Sequence, residues 1–148
     1  LIPPGQGCFI KRTNNSAALG VTITGHLREG AFAQPLAQGH NLLASPRPID
    51  ASPRQHGLTI ENGFLGSNDP EAADQLQLWL GNEQGYASYF LLDGGNDALR
   101  YWSDMNDDSV ANADDLKLIP GNRAIFFHMA TEGHNTYRVP GLRIESTQ

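Results

Sequence analysis

Apolar and polar positions alternate along much of the chain with the period of strands. Leu76, Leu78 and Leu80 are interleaved with Gln75, Gln77 and Trp79, which predicts a strand here. Just upstream, Asp69-Pro70-Glu71 carries the proline and acid of a helix start, so a turn of helix is predicted over 70–74. The stripe Ala72, Leu76, Trp79, Leu80 would also suit one face of a longer helix, and the pattern leaves both readings open. Gly81 to Gly85 then turns the chain, Tyr86 to Leu92 returns it, and Gly94-Gly95-Asn96-Asp97 turns it again into a strand from Ala98 to Ser103. Earlier, Asn41-Leu42-Leu43-Ala44 is a short apolar run cut off by Ser45-Pro46-Arg47-Pro48, whose prolines force an extended exit. Residues 50–68, with Pro53, Gly57, Gly63 and Gly66, read as a long structured loop with one helical turn.

The two ends of the chain look alike. With Pro4-Gly5 laid on Pro120-Gly121, the apolar run to Ile10 falls on the run to Phe127, Val21 and Ile23 fall on Tyr137 and Val139, and Gly25 falls on Gly141. Each copy reads as a Pro-Gly turn, an apolar strand, a polar reversal and a second strand. The reversals are Asn14-Asn15-Ser16 and Glu132-Gly133-His134, so each copy predicts a β-hairpin. The organisation expected is a closing hairpin over 1–28, a connector over 29–40 and one nearly complete β unit over 41–144, packed as a single domain. The fold class is all-β: an antiparallel sandwich or open barrel, with related hairpins at the chain ends and one or two short helical turns.

Composition narrows the function classes. The chain has 148 residues, 39% apolar and 18% charged, enough for one core without a disulfide or metal. Cys8 is the only cysteine, which excludes an internal disulfide and a cysteine-based zinc site, and its apolar strand predicts an inert core thiol. The formal charge is -6 and only Lys11 and Lys117 are lysines, so nucleic acid is not an expected partner. No apolar run is long enough to span a membrane as a helix, and no export signal is recognisable. A start at Leu1 rather than Met fits a processed or trimmed piece of a longer product.

Several stretches stand in a familiar order: Asn41 to Pro46, Ala73 to Trp79, Tyr86 to Phe90, Trp102, and Ile119-Pro120-Gly121 with Ile125-Phe126-Phe127. In that order the chain resembles the uncharacterised secreted β-domain repeats of Verrucomicrobia, Planctomycetes and related bacteria. In those repeats an N-L-x-x-x-P strand opens a unit and a P-P-G-x-G-F-F-I-x-R strand closes it, and Leu1 to Arg12 is similar to the closing element. This chain departs from the pattern at Asn122-Arg123, where the first copy has Gln6-Gly7, and in an acidic loop over 104–115. The resemblance implies export and a place at the cell surface or in an extracellular assembly. It supplies no catalytic residues.

Four constellations bear on chemistry. Asp104, Asn106, Asp108, Asn112 and Asp115 place oxygen ligands at positions 1, 3, 5, 9 and 12 of a loop, the spacing that wraps calcium. Against that, Ser109 stands where the turn glycine belongs, Asp115 is shorter than the usual glutamate, and Pro120 forbids a full exit helix; a solvated turn rich in Asp and Asn competes. Trp79, Tyr86, Tyr89, Tyr101 and Trp102 form an aromatic-rich stretch in which neighbours such as Tyr101 and Trp102 must point to opposite faces. Some of these rings are therefore expected outside, where they would stack on sugars or pack against a subunit. Among the histidines there is no HExxH, and a turn at Gly133 parts Glu132 from His134, so no transition-metal site is read. Ser45, His40 and Asp50 are close in sequence but lack a nucleophile elbow.

The expectation is a non-catalytic extracellular structural domain that self-associates or joins neighbouring repeat units, in a surface layer, filament or array, with no cofactor required. The alternative is a carbohydrate-binding module that takes polysaccharide on the aromatic strip, with Ca2+ in the acidic loop. A hydrolase stands third.

Overall fold

The computed structural model describes residues 5–11, 20, 22, 24, 30–47, 49–80, 85–96, 100–106, 116–118 and 125–139, with backbone only at 100, 126 and 131–135. Within them the chain is all-β. Five strands form one antiparallel sheet: β1 (Phe32–Leu43), β2 (Gln75–Leu80), β3 (Gly85–Asp93), β4 (Arg100–Asp104) and β5 (Ile125–Val139), in the order β1-β5-β2-β3-β4. The sheet curls into a half-barrel rather than forming a sandwich. The helical content described is two 3-10 turns, Ile60–Asn62 and Pro70–Ala72.

The meander forms as its alternation predicts. Gln75–Leu80 pairs with β3 from Gln75↔Phe90 to Leu80↔Gly85, and β3 pairs with β4 from Tyr89↔Asp104 to Asp93↔Arg100. The longer helix allowed by Ala72, Leu76, Trp79 and Leu80 does not form. Asp69 caps one turn through Glu71 N, and Ala73 is already extended, so the chain enters the sheet after three helical residues. Leu76 and Leu78 then face the core, fully buried.

Two expected boundaries are corrected. The stretch expected as a connector, 29–40, holds most of β1. The reversal expected at Glu132-Gly133-His134 lies inside β5, which runs without a hairpin turn. The reason is β1, which pairs with β5 from Phe32↔Val139 to Leu43↔Ile125 and supplies its ladder on both sides of the polar stretch. The polar stretch is absorbed as an irregularity: one residue, Gln38, separates Ala37 from Gly39, while residues 130–133 separate their partners His134 and Met129. Gly39 has φ +83°, a conformation that other residues rarely adopt. Past this point β1 changes parity, so Leu36 faces the core before it and Leu43 after it. The polar reversal expected near Asn14 falls outside the described residues, as does most of the hairpin expected over 1–28. Of that hairpin, Gln6 bridges to Leu43 on the edge of β1 away from β5, with Gly7 N donating to Leu42 O and Ala44 N to Gly5 O.

The core lies on the concave face. Leu36, Leu43, Leu76, Leu78, Leu91, Trp102, Ile125, Phe127, Met129, Tyr137 and Val139 come from the sheet, and the segment from Ala51 to Phe64 covers them with Leu58 and Phe64. Phe64 meets Phe127 edge-on at 5.3 Å, and Ala51 bridges to Leu118. A loop thus does the work of a second layer. Cys8, expected in the core, is exposed, as are Phe9 and Ile10, because the first segment sits on the outer edge of β1, beyond the covering loop.

Candidate functional site

The aromatic strip divides between the two faces of the sheet. Leu91↔Trp102 and Leu76↔Tyr89 are register pairs on the core side. Trp102 is only 4% exposed and its Nε1 donates to Leu58 O at 3.0 Å, while Tyr89 packs against the core. Trp102 is therefore not part of a ligand platform: in register with Leu91 it faces the core, where its N–H has found a carbonyl. Trp79 and Tyr86 lie on the opposite face as direct cross-strand partners, with ring centroids 4.9 Å apart at 62° and Tyr86 44% exposed. Tyr101 stands apart from them, opposite Leu92 at the far end of β3. It lines a cleft of about 10 Å³ with Arg54, Leu58, Ile60 and Trp102, room for a water and not for a sugar. Of the five rings, the fold brings together only Trp79 and Tyr86 as a surface pair.

Only the start of the acidic loop is described. Asp104 ends β4 and its Oδ1 accepts from Asn106 N at 2.7 Å, a local turn bond. Asp108, Asn112 and Asp115 lie outside the described residues. Among the described residues no three His, Cys, Asp or Glu side chains converge as a metal-holding group.

Ser45 meets a histidine, but not the neighbour the sequence suggests. His40 sits in β1 opposite His128, and Asp50 is exposed. Instead His56, from the covering loop, places Nε2 2.9 Å from Ser45 Oγ and Nδ1 3.0 Å from Ser52 O. A carbonyl only accepts, so Nδ1 carries the proton and Nε2 accepts from the Ser45 hydroxyl. Burial pushes His56 below its ordinary pKa, with Arg47 acting the same way and the Ser52 carbonyl opposing, which keeps the ring neutral at pH 7. The ring has no exposed surface and stacks on Tyr137 at 6.4 Å and 15°. Burial likewise pushes the Tyr137 hydroxyl upward. Arg47 N donates to Ser45 Oγ, and Arg47 Nη2 to Gln55 O at 3.0 Å. Nucleophile, base and orienting group have hydrogen-bond geometry. Their contacts run between the exit of β1 and the covering loop, however, so the cluster acts as a clasp.

A second polar centre escaped sequence reasoning altogether. Asp74, 1% exposed, accepts from Leu65 N through Oδ2 and from Ala130 N through Oδ1, both at 2.9 Å. Its backbone N donates to Leu65 O, and its carbonyl accepts from Leu91 N. One residue thus fastens the covering loop, β3 and the irregular part of β5. Desolvation raises its pKa first, while the two backbone bonds and the nearby His128 pull it down. No local signal marks it, since both side-chain partners are distant in sequence.

Comparison of the chain with protein-family models, with curated proteins and with solved structures found no significant match.

Proposed function

We propose that the chain is a non-catalytic structural β domain of the cell exterior, which joins copies of itself or neighbouring units through the edge of its sheet. The observation that supports this reading is β4. It ends the strand order with no further strand beside it among the described residues, and Arg100–Asp104 contains neither proline nor lysine to blunt the edge. The strand is also self-complementary. Paired antiparallel with a second copy about Trp102, it sets Arg100 opposite Asp104 of the other chain twice over, which favours association. The extended segment Gly5–Gly7, laid on the edge of β1, is a precedent within this chain for strand addition. The resemblance to secreted β-domain repeats points the same way. Light scattering of the purified chain over a concentration series tests the idea. Concentration-dependent association that Arg100→Glu weakens is expected; a chain that stays monomeric at the highest attainable concentration refutes it.

Polysaccharide binding is a second reading, favoured by the exposed Trp79–Tyr86 pair alone. Retardation in a polysaccharide gel that Tyr86→Ala abolishes would establish it.

A further inference from the structure

The cross-strand pair His40 and His128 has no part in the reading above. They are direct register partners across β1 and β5, and their rings lie 4.9 Å apart at 65°. Phe127 and Met129 on either side of His128 are core residues, so alternation sends the His128 ring to the opposite, convex face. His40 is exposed there. His128 Nδ1 is shut off from solvent and has no hydrogen-bond partner. A buried polar atom left unpaired costs about 1–3 kcal/mol, so the unpaired ring nitrogen of His128 calls for an explanation.

Directly opposed positions of an antiparallel pair bring Cβ atoms to about 4.5–5.5 Å, from which two imidazoles can converge on one ion at about 2.0–2.1 Å. We propose that His40 and His128 form a two-imidazole site for a borderline divalent transition metal, Zn2+ or Cu2+, with water completing the coordination. Nitrogen donors select these ions over calcium and magnesium, which take oxygen. Asp74 interacts with His128 through its charge, but its two oxygens stay on Leu65 N and Ala130 N, so it is not a ligand of the ion. The site is next to the irregularity between Ala37 and Gly39. An ion held there clips β1 to β5 where their ladder slips, and so fixes the register at its weakest point.

The full chain is titrated with ZnCl2 alone at about pH 7.5, where an ordinary imidazole is neutral. Binding is followed by calorimetry and by the ring-proton NMR signals of the histidines. One ion per chain is expected, with the His40 and His128 signals moving together. His40→Ala and His128→Gln should each weaken binding roughly tenfold or more, since loss of an outer-shell partner alone costs that much. The melting temperature should rise with Zn2+ in the parent chain and not in His40→Ala, whose exposed position leaves the fold intact. Failure to take up Zn2+ or Cu2+, or affinity retained in His40→Ala, overturns the proposal.

Discussion

Truncating Asp74 to alanine tests the claim that one carboxylate fastens three parts of the fold. The change removes two charge-assisted bonds, each 2.9 Å long, and leaves Leu65 N and Ala130 N as donors facing a small void. Hydrogen bonds to a charged group contribute about 1.5–3 kcal/mol each, so the gross loss is about 3–6 kcal/mol. Against this stands relief of the carboxylate's desolvation, the leading cause of its raised pKa. The net expectation for Asp74→Ala is a loss of about 2–4 kcal/mol, or about 10 °C in melting temperature for a domain of this size. Urea unfolding should show a lower midpoint at unchanged slope, and the amides of Leu65 and Ala130 should exchange faster. The pH dependence has a definite sign. A folded pKa above the ordinary 3.8 means that the folded state holds the proton more tightly, so this contribution is complete below about pH 3.8 and is lost as pH rises through the folded value. The gap between parent and variant should therefore widen as pH falls through the folded value towards about 3.8. A loss under about 1 kcal/mol, or a gap that narrows in acid, would refute the reasoning.

Four further substitutions probe the clasp, the core and the convex face. His56 has a folded pKa held below 6.5, chiefly by burial, so the unfolded chain takes the proton first. Stability should be full above about pH 6.5 and fall below it by up to about 1.4 kcal/mol per pH unit, with His56→Gln flattening that limb; identical slopes would count against the clasp. Gly57 has φ +74°, and a Cβ there would strike the Arg138 carbonyl oxygen, so Gly57→Ala should cost about 2–4 kcal/mol in thermal unfolding. Trp102→Phe strands the Leu58 carbonyl and should cost about 1–3 kcal/mol, whereas Tyr86→Ala on the convex face should cost far less; equal effects would contradict the assignment of Trp102 to the core.

What the sequence makes legible is whatever depends on local period. Gln75 to Leu80 alternates cleanly and is a strand, and Pro70 with Asp69 marks its helical prelude. β5 is a different matter. Its polar middle has the composition of a turn, and it stays within one strand because β1, far away in sequence, pairs with β5 on both sides of it. Pro35 conceals β1 in the same way: a proline reads against a strand unless the strand lies at an edge, and β1 does. The polar centres were illegible for the same reason. Ser45 and His56 share a clasp only because the covering loop folds back over the sheet, and Asp74 is bound to Ala130 across 56 positions of chain. Among the aromatics, which rings would be covered depended on the loop from Ala51 to Phe64, whose Leu58 carbonyl takes the Trp102 N–H.

The two edges of the sheet are not equivalent, and the difference bears on what an assembly could be. A filament built by strand addition needs both edges, one giving and one receiving. β1 is a poor template: Gly5–Gly7 already occupies it at Leu42 to Ala44, Pro35 offers no N–H, and the irregularity at Gly39 breaks the ladder between them. β4 is regular but only five residues long. Pairing of β4 with its own copy is a two-fold contact, which closes on itself and cannot propagate. Sheet-edge pairing alone therefore leads to a dimer rather than the filament that the repeated ends suggest. Growth beyond it requires a second contact, to which the exposed Phe9 and Ile10, in the segment on the β1 edge, could contribute apolar area. Sedimentation should thus reach a plateau at two chains if β4 acts alone. Mass that keeps rising with concentration, and falls to that plateau in Phe9→Ser, would place the second contact at the first segment.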